Sequence, residues 1–221
     1  MKRSALVLTI LLCLCSATFG QQKSQYVKLE TPQGSCIIGL YDETPHHRDN
    51  FIKLVKSKYF DATTFNRILK GFVIQGGDPD SLYEKGHKLK PEQKWLAAEF
   101  VPTLYHRRGV VAMGRDVNPA EASFTTQIYI VDGKPMSNEQ LDAVEKKYHQ
   151  HFSEAQREAY RTVGGTPFLD QHYTIFGEIV KGIDLIDKIA AVKVDKAGNP
   201  ETPVWMKLTL LTPKQATQAL K

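Results

Sequence analysis

The stretch "FNRILKGFVIQGGD", residues 65–78, decides how this chain is read. Two short apolar runs flank Lys70-Gly71, a turn signal, and Gly76-Gly77-Asp78 closes the segment. The pattern predicts two antiparallel strands joined tightly around Gly71. Simple alternation puts Phe65, Arg67 and Leu69 on one face and Asn66, Ile68 and Lys70 on the other. Phe72, Val73 and Gln75 then return across the turn. One charge, Arg67, falls in a segment otherwise suited to burial. A buried guanidinium needs partners, and the side-chain carbonyl of Gln75 can accept from it and hold it still. The plain alternative is an arginine lying over the surface with its stem packed.

Working outward, residues 26–41 read as a hairpin. Val27 and Leu29 alternate with polar neighbours, Pro32-Gln33-Gly34 makes the turn, and the run from Cys36 to Tyr41 returns. A helix follows. Thr44 is placed to cap it, Pro45 suits its first position, and Phe51, Leu54, Val55 and Tyr59 recur at helical spacing. Residues 79–94 read as a polar surface loop. "RGVVAMG", "TQIYIVDG" and "YTIFGEIV" read as short strands, "GIDLIDKIA" as a short helix, and "VWMKLTLL" as a last strand. In that last strand Met206, Leu208 and Leu210 alternate with Lys207 and Thr209. Many short strands, tight turns and few helices predict a mainly β fold: an antiparallel barrel or sandwich with helical caps.

Residues 137–161 break the pattern. Leu141, Val144, Tyr148 and Phe152 share one helical face, and Ser137/Gln140 and Ser153/Gln156 each spell a capping box. The segment is one long helix or two short ones, inserted between strands. An apolar stripe left exposed there would mark a partner surface; a stripe packed on the barrel would mark a structural role.

The 221 residues carry a formal charge of +5 and are 42% hydrophobic, enough for one domain with a single core. Basic residues are scattered without a dense run, which argues against nucleic acid as a partner. Residues 1–20 follow the order of a secretory signal: Lys2 and Arg3, an apolar run over 5–15, then small residues, with cleavage expected after Gly20 or Ala17. A lipid anchor at Cys15 or an uncleaved anchor competes, although Leu14 before Cys15 fits lipidation poorly. The expected organisation is a signal at 1–20, a linker at 21–25, one domain at 26–212 and a tail at 213–221. Past the signal, Cys36 is the one remaining cysteine, so no internal disulfide is expected and Cys36 reads as a buried, inert thiol. His46, His47, His149 and His151 are poorly spaced for metal ligation and read as surface histidines. No metal and no cofactor are expected, and no phosphate loop, carboxylate pair or Ser-His-Asp arrangement stands out.

The opening stretch closely resembles the signature of the cyclophilins, the peptidyl-prolyl cis/trans isomerases, in which F-x-R-x-x-x-x-F-x-x-Q-G-G-D is a hallmark. "GVVAMGR" resembles that family's glycine-led strand beside the substrate groove, and "TQIYI" resembles its S-Q-F-F-I strand. "FLDQHYTIFGEIVKGIDLIDKI" resembles its W-L-D-x-x-H-x-V-F-G-x-V segment and the helix after it. The blocks run in the family's order across most of residues 26–212. The resemblance implies a closed eight-stranded antiparallel barrel with two capping helices, here with an added helical insertion. It implies Arg67 as the catalytic arginine, with Gln75 orienting it. Phe72, Val73, Tyr129 and Leu169 would line a proline pocket, beside Phe168, and Tyr173 would close its side. Gln127 and the backbone near Gly114 and Arg115 would hold the peptide.

The chain departs from many eukaryotic members, which have Trp at Phe168, His at Tyr173, Met at Val73 and Phe at Tyr129; bacterial members often share the first two changes. Phe168 lacks an indole N–H, which implies weak cyclosporin binding. The implied activity is isomerisation of X-Pro bonds in proline-containing peptides and unfolded exported proteins, by a monomeric protein in the periplasm or another exported setting. The rival is a non-catalytic proline-binding or chaperone module using the same groove and the insertion.

Overall fold

The computed structural model describes residues 23–77 and 95–221; the expected signal and the polar stretch at 79–94 lie outside the described residues. Strands β1 (Lys23–Thr31) and β2 (Gly34–Tyr41) form the expected hairpin, with Leu29 opposite Cys36 and Val27 opposite Ile38. Period-two alternation turns Val27, Leu29, Cys36, Ile38 and Leu40 into one buried face. Burial pushes the Cys36 thiol up to about 12, so it is inert as read. β1 starts at Lys23, so residues 23–25 belong to the sheet rather than to a linker.

Next come α1 (Pro45–Lys56), β3 (Thr64–Leu69), β4 (Val73–Gly76), β5 (Trp95–Leu96) and β6 (Val110–Met113). The rest are β7 (Ser123–Phe124), β8 (Ile128–Val131), α2 (Asn138–Tyr148), α3 (Glu154–Thr162) and β9 (Ile175–Lys181). α4 (Leu185–Ala190), β10 (Val204–Trp205), β11 (Lys207–Leu210) and α5 (Pro213–Leu220) complete the chain. The main sheet runs β10-β3-β4-β8-β6-β9-β2-β1-β11, with antiparallel pairings throughout, while β5 and β7 pair separately. β10 and β11 stand at opposite ends of that order, yet only the buried Met206 separates them in the chain. One bent strand therefore joins both ends and curls the sheet into a nearly closed barrel. Nine segments stand where eight strands were expected, and the bend at Met206 is the difference. Phe51, Ile52 and Val55 of α1, and Leu185, Ile186 and Ile189 of α4, share one apolar core with the inward strand residues.

Thr44 makes no capping hydrogen bond. The Glu99 carboxylate replaces it, accepting from the backbone N–H of His46 at 3.1 Å and of His47 at 2.9 Å. A negative charge is favoured at that end of a helix. The same carboxylate accepts from His47 Nδ1 at 2.6 Å, and His47 Nε2 lies 3.0 Å from Ser123 Oγ. His46, His149 and His151 are exposed, but His47 is fully buried. The surface reading fails there because His47 stands one turn before Phe51 and extends the buried stripe of α1.

The insertion is two helices. Both capping boxes form, and the chain turns between the helices at His149, which adopts a left-handed φ of 53°. Leu141, Phe152 and Tyr160 pack into a satellite core with Tyr105, Met136 and Val144. The expected tail forms α5, capped by Thr212 and Gln215.

Acidification tests the buried histidine. Burial lowers the His47 pKa, against an opposing pull from its Glu99 hydrogen bond. The unfolded chain, titrating near ~6.5, takes up a proton before the folded one. Stability is therefore full above about pH 6.5 and falls as the pH drops through that value toward the lower folded pKa. Urea midpoints should fall between about pH 7.5 and 5.5, and fall less steeply in His47→Gln. Equal slopes in the two proteins would contradict this.

Candidate active site

The register between β3 and β4 pairs Phe65 with Gly76 and then Arg67 with Gln75, leaving Asn66 as an extra residue. This is a β-bulge, which re-aims the side chains that follow it. Phe65 and Ile68 point into the core, while Arg67 and Leu69 share the outer face with Gln75 and Val73. The expected single face for Phe65, Arg67 and Leu69 is thus corrected: strict alternation holds only where no residue is inserted. Gly76 permits the bulge, since a Cβ there would overlap the Thr64 carbonyl. Arg67 is exposed rather than buried. Its Nη1 donates to Gln75 Oε1 over a long 3.4 Å.

Next to β4, β8 sets Tyr129 opposite Gln75 and Val131 opposite Val73, and β6 sets Ala112 beside Tyr129. Their outward side chains form a second apolar cluster, with Phe72, Leu169 and Tyr173 packed on its edge. A cavity of about 380 Å³ opens on this wall. Arg67, Phe72, Val73, Gln75, Tyr129 and Leu169 line it. Gly114, Arg115, Gln127 and Tyr173 line it too, as do Asp116 and Phe124, which the sequence reading missed. Phe168 does not line the cavity; its ring stacks on that of Phe72 at 5.7 Å.

Gly114 and Arg115 contribute differently from expectation. The Gly114 N–H donates to the Gln127 carbonyl and its own carbonyl accepts from Phe124 N–H, both at 2.8 Å, so its amide is already engaged. Its missing side chain is what matters: a Cβ would overlap the Gln127 carboxamide. The Arg115 guanidinium donates from Nε to the His172 carbonyl at 2.7 Å and from Nη2 to Glu121 at 2.8 Å. It lies 4.6 Å from the centre of the Tyr173 ring and braces it.

A buried polar chain holds the pocket wall from behind. Tyr160 donates from its hydroxyl to Asp170 Oδ2 at 2.6 Å. Asp170 Oδ1 accepts from the His106 backbone N–H at 2.7 Å and lies 2.9 Å from His106 Nδ1. His106 Nε2 lies 3.0 Å from the Tyr129 hydroxyl. Burial pushes both tyrosine hydroxyls far above their ordinary range, so both remain donors. With Nδ1–H directed at the carboxylate, Nε2 accepts from Tyr129. The Tyr129 hydroxyl is thereby turned away from the cavity and its ring is fixed as wall. Tyr129 is expected only as pocket wall and Asp170 lies inside the "FLDQHY" block, whereas His106 and Tyr160 carry no sequence signal.

Ser123, His47 and Glu99 form a serine–histidine–carboxylate line that the sequence hid, because its members come from separate segments. Ser123 is buried and does not line the cavity, so the line serves as a brace that pins β7 beside Phe124.

Residues 26–209 match the family model "Cyclophilin type peptidyl-prolyl cis-trans isomerase/CLD". This chain belongs to the cyclophilins. A Staphylococcus saprophyticus protein provisionally named a peptidyl-prolyl cis-trans isomerase is 29% identical over 161 residues, 73% of this chain and 78% of that protein. A cyclophilin-type isomerase from Cryptosporidium parvum, crystallised in the presence of the dipeptide Ala-Pro, shares the fold. Its TM-score is 0.64 at 22% identity, covering 85% of this chain and 99% of that one. A cyclophilin from Hirschia baltica aligns with a TM-score of 0.56 at 19% identity, covering 86% of this chain and 76% of that one. Within this cyclophilin the sequence-expected residues, Phe168 excepted, converge on one cavity.

Two substitutions test the supports. Gly114→Ala should displace the Gln127 amide and weaken proline-peptide binding about tenfold by titration, with little change in melting temperature. Unchanged affinity would count against the role given to that glycine. Tyr160→Phe leaves Asp170 one donor short and should cost about 1–3 kcal/mol in urea denaturation.

Proposed function

We propose that this cyclophilin catalyses cis/trans isomerisation of X-Pro bonds by hydrogen bonding from Arg67 to the twisted prolyl amide. One observation carries the reading: the Arg67 guanidinium, tethered to Gln75, lines the same cavity as the apolar side chains of Phe72, Val73, Tyr129 and Leu169. Rotation about an X-Pro bond destroys amide resonance, with a barrier of about 20 kcal/mol. At the twisted state the prolyl nitrogen regains a lone pair. A donor beside that nitrogen binds the twisted state more strongly than either planar isomer, which is catalysis by differential binding without a covalent step.

The parts divide the work. Phe72, Val73, Tyr129 and Leu169 grip the pyrrolidine ring and exclude water. Gln127 steadies the peptide at the far end of β8. The Arg67 side chain is exposed; a substrate lying over it covers it, so its donors strengthen as water leaves. An arginine suits this better than a lysine, since its fork offers several fixed donors and stays charged. The signal-like residues 1–20 support an exported, periplasmic setting, with unfolded exported proteins as substrates of a monomeric enzyme. The burial of Leu141 and Phe152 removes the main support for a chaperone surface on the insertion.

A prolyl-peptide isomerisation assay tests the reading. Removing one donor aimed at a developing lone pair should lower kcat/KM about a hundredfold in Arg67→Ala. The circular dichroism spectrum should not change, because the side chain is exposed. Equal rates for mutant and wild type would refute the mechanism.

A further inference from the structure

Most of the insertion's apolar stripe goes into its own satellite core, but Tyr148, the last residue of α2, does not. It is 37% exposed. Its ring stacks on Phe168 with centroids 5.9 Å apart and planes 27° apart. Phe168 stacks in turn on Phe72 at 5.7 Å and 24°. Phe72 lines the cavity. Three rings thus form a continuous ladder from the pocket to the surface of the insertion, and Phe72 and Phe168 are both only half-buried.

The direction of the ladder follows from the sheet. Gln127 precedes the first residue of β8, and Val131 ends it beside Val73. The Phe72 carbonyl accepts from the N–H groups of Asp132 and Gly133, just past that end. At about 3.3 Å per residue, the Phe72 end of the wall lies roughly 13 Å from the Gln127 end. A peptide that runs along β8 from Gln127, with its proline over Val73 and Tyr129, leaves past Phe72. The ladder begins where that peptide leaves.

We infer that Tyr148 is a substrate-contacting, specificity-determining residue. The Phe72–Phe168–Tyr148 ladder receives an aromatic side chain of the substrate, within about three residues of the proline on the side away from Gln127. The substrate ring lies across the exposed edges of the ladder, and aromatic pairs prefer such offset and edge contacts. The inference rests on the isomerase reading, whose groove it lengthens, and it makes the insertion part of the substrate site.

The test is a set of single-proline peptides in which phenylalanine replaces alanine at each of the three positions on either side of the proline. Wild type, Tyr148→Ala and Tyr148→Phe are assayed on each. The wild-type protein should prefer phenylalanine about fivefold in kcat/KM at one or two positions on one side only, through a lower KM. In Tyr148→Ala that ratio should fall to about one, and Tyr148→Phe should restore it. The same ratio in Tyr148→Ala as in wild type, or no preference at any position, would overturn the inference while leaving the isomerase reading intact. Absence of turnover by wild type on every peptide would overturn both.

Discussion

The single inserted residue at Asn66 governs what this barrel can do. Without the bulge, Phe65 and Arg67 would share a face, and a guanidinium would have to enter the core or a phenylalanine leave it. Either alternative is costly, since an unpaired buried charge and an exposed large ring both forfeit free energy. The extra residue resolves the conflict: Phe65 and Ile68 stay inside, and Arg67 turns out beside Gln75. Gly76 is the local condition for this, because only a residue without a Cβ lets β4 approach Thr64 so closely. Arg67 is aimed by the strand register, and the 3.4 Å contact to Gln75 merely limits where its tip can go.

The wall facing Arg67 is held by a different principle. Its apolar residues are fixed from the barrel side by packing, but Tyr129 carries a hydroxyl that must find a partner when buried. His106 meets it, Asp170 orients His106, and Tyr160 completes the carboxylate's bonds from the insertion. Every member of this chain has a partner, which is the condition under which a buried polar network rigidifies a site instead of weakening it. The His47–Glu99–Ser123 line couples the start of α1 to the segment that carries Phe124.

The fold was legible wherever one face of a strand or helix is buried and the other is not. The hairpin of β1 and β2 alternates cleanly because only one of its faces enters the core, and the two capping boxes of the insertion could be read from four residues each. Met206 reads in the sequence as one position of an alternating strand, since nothing local announces that the chain there leaves β3 for β1. The bulge was hidden for a related reason: alternation is a rule about intact ladders, and an inserted residue shows only in the pairing. His47 misled because a polar residue on a helix is ordinarily solvated, and its partners Glu99 and Ser123 lie far away in sequence. The cavity residues were reached through a family resemblance carried by four blocks. Strand pattern alone left Arg67 open between a site and a surface. Asp116 and Phe124 escaped because they belong to the connecting segment between the "GVVAMGR" and "TQIYI" blocks.

The insertion meets the pocket at two independent points, and that bears on why it takes the form of two helices. Tyr160 of α3 reaches Asp170 from behind the wall, whereas Tyr148 of α2 reaches Phe168 at its rim. One unbroken helix from 138 to 162 would place these two residues about 18 Å apart along its axis, at 1.5 Å per residue. The left-handed turn at His149 folds α3 back, so that Phe152 and Tyr160 join Leu141 in one satellite core. The Glu145 carboxylate secures the turn, accepting from the Phe152 N–H at 2.6 Å and from Arg157 at 2.9 Å. The same fold-back that buries Leu141, Phe152 and Tyr160 thus leaves the end of α2 beside Phe168 and brings Tyr160 of α3 to Asp170, so one turn sets both contacts of the insertion with the pocket residues.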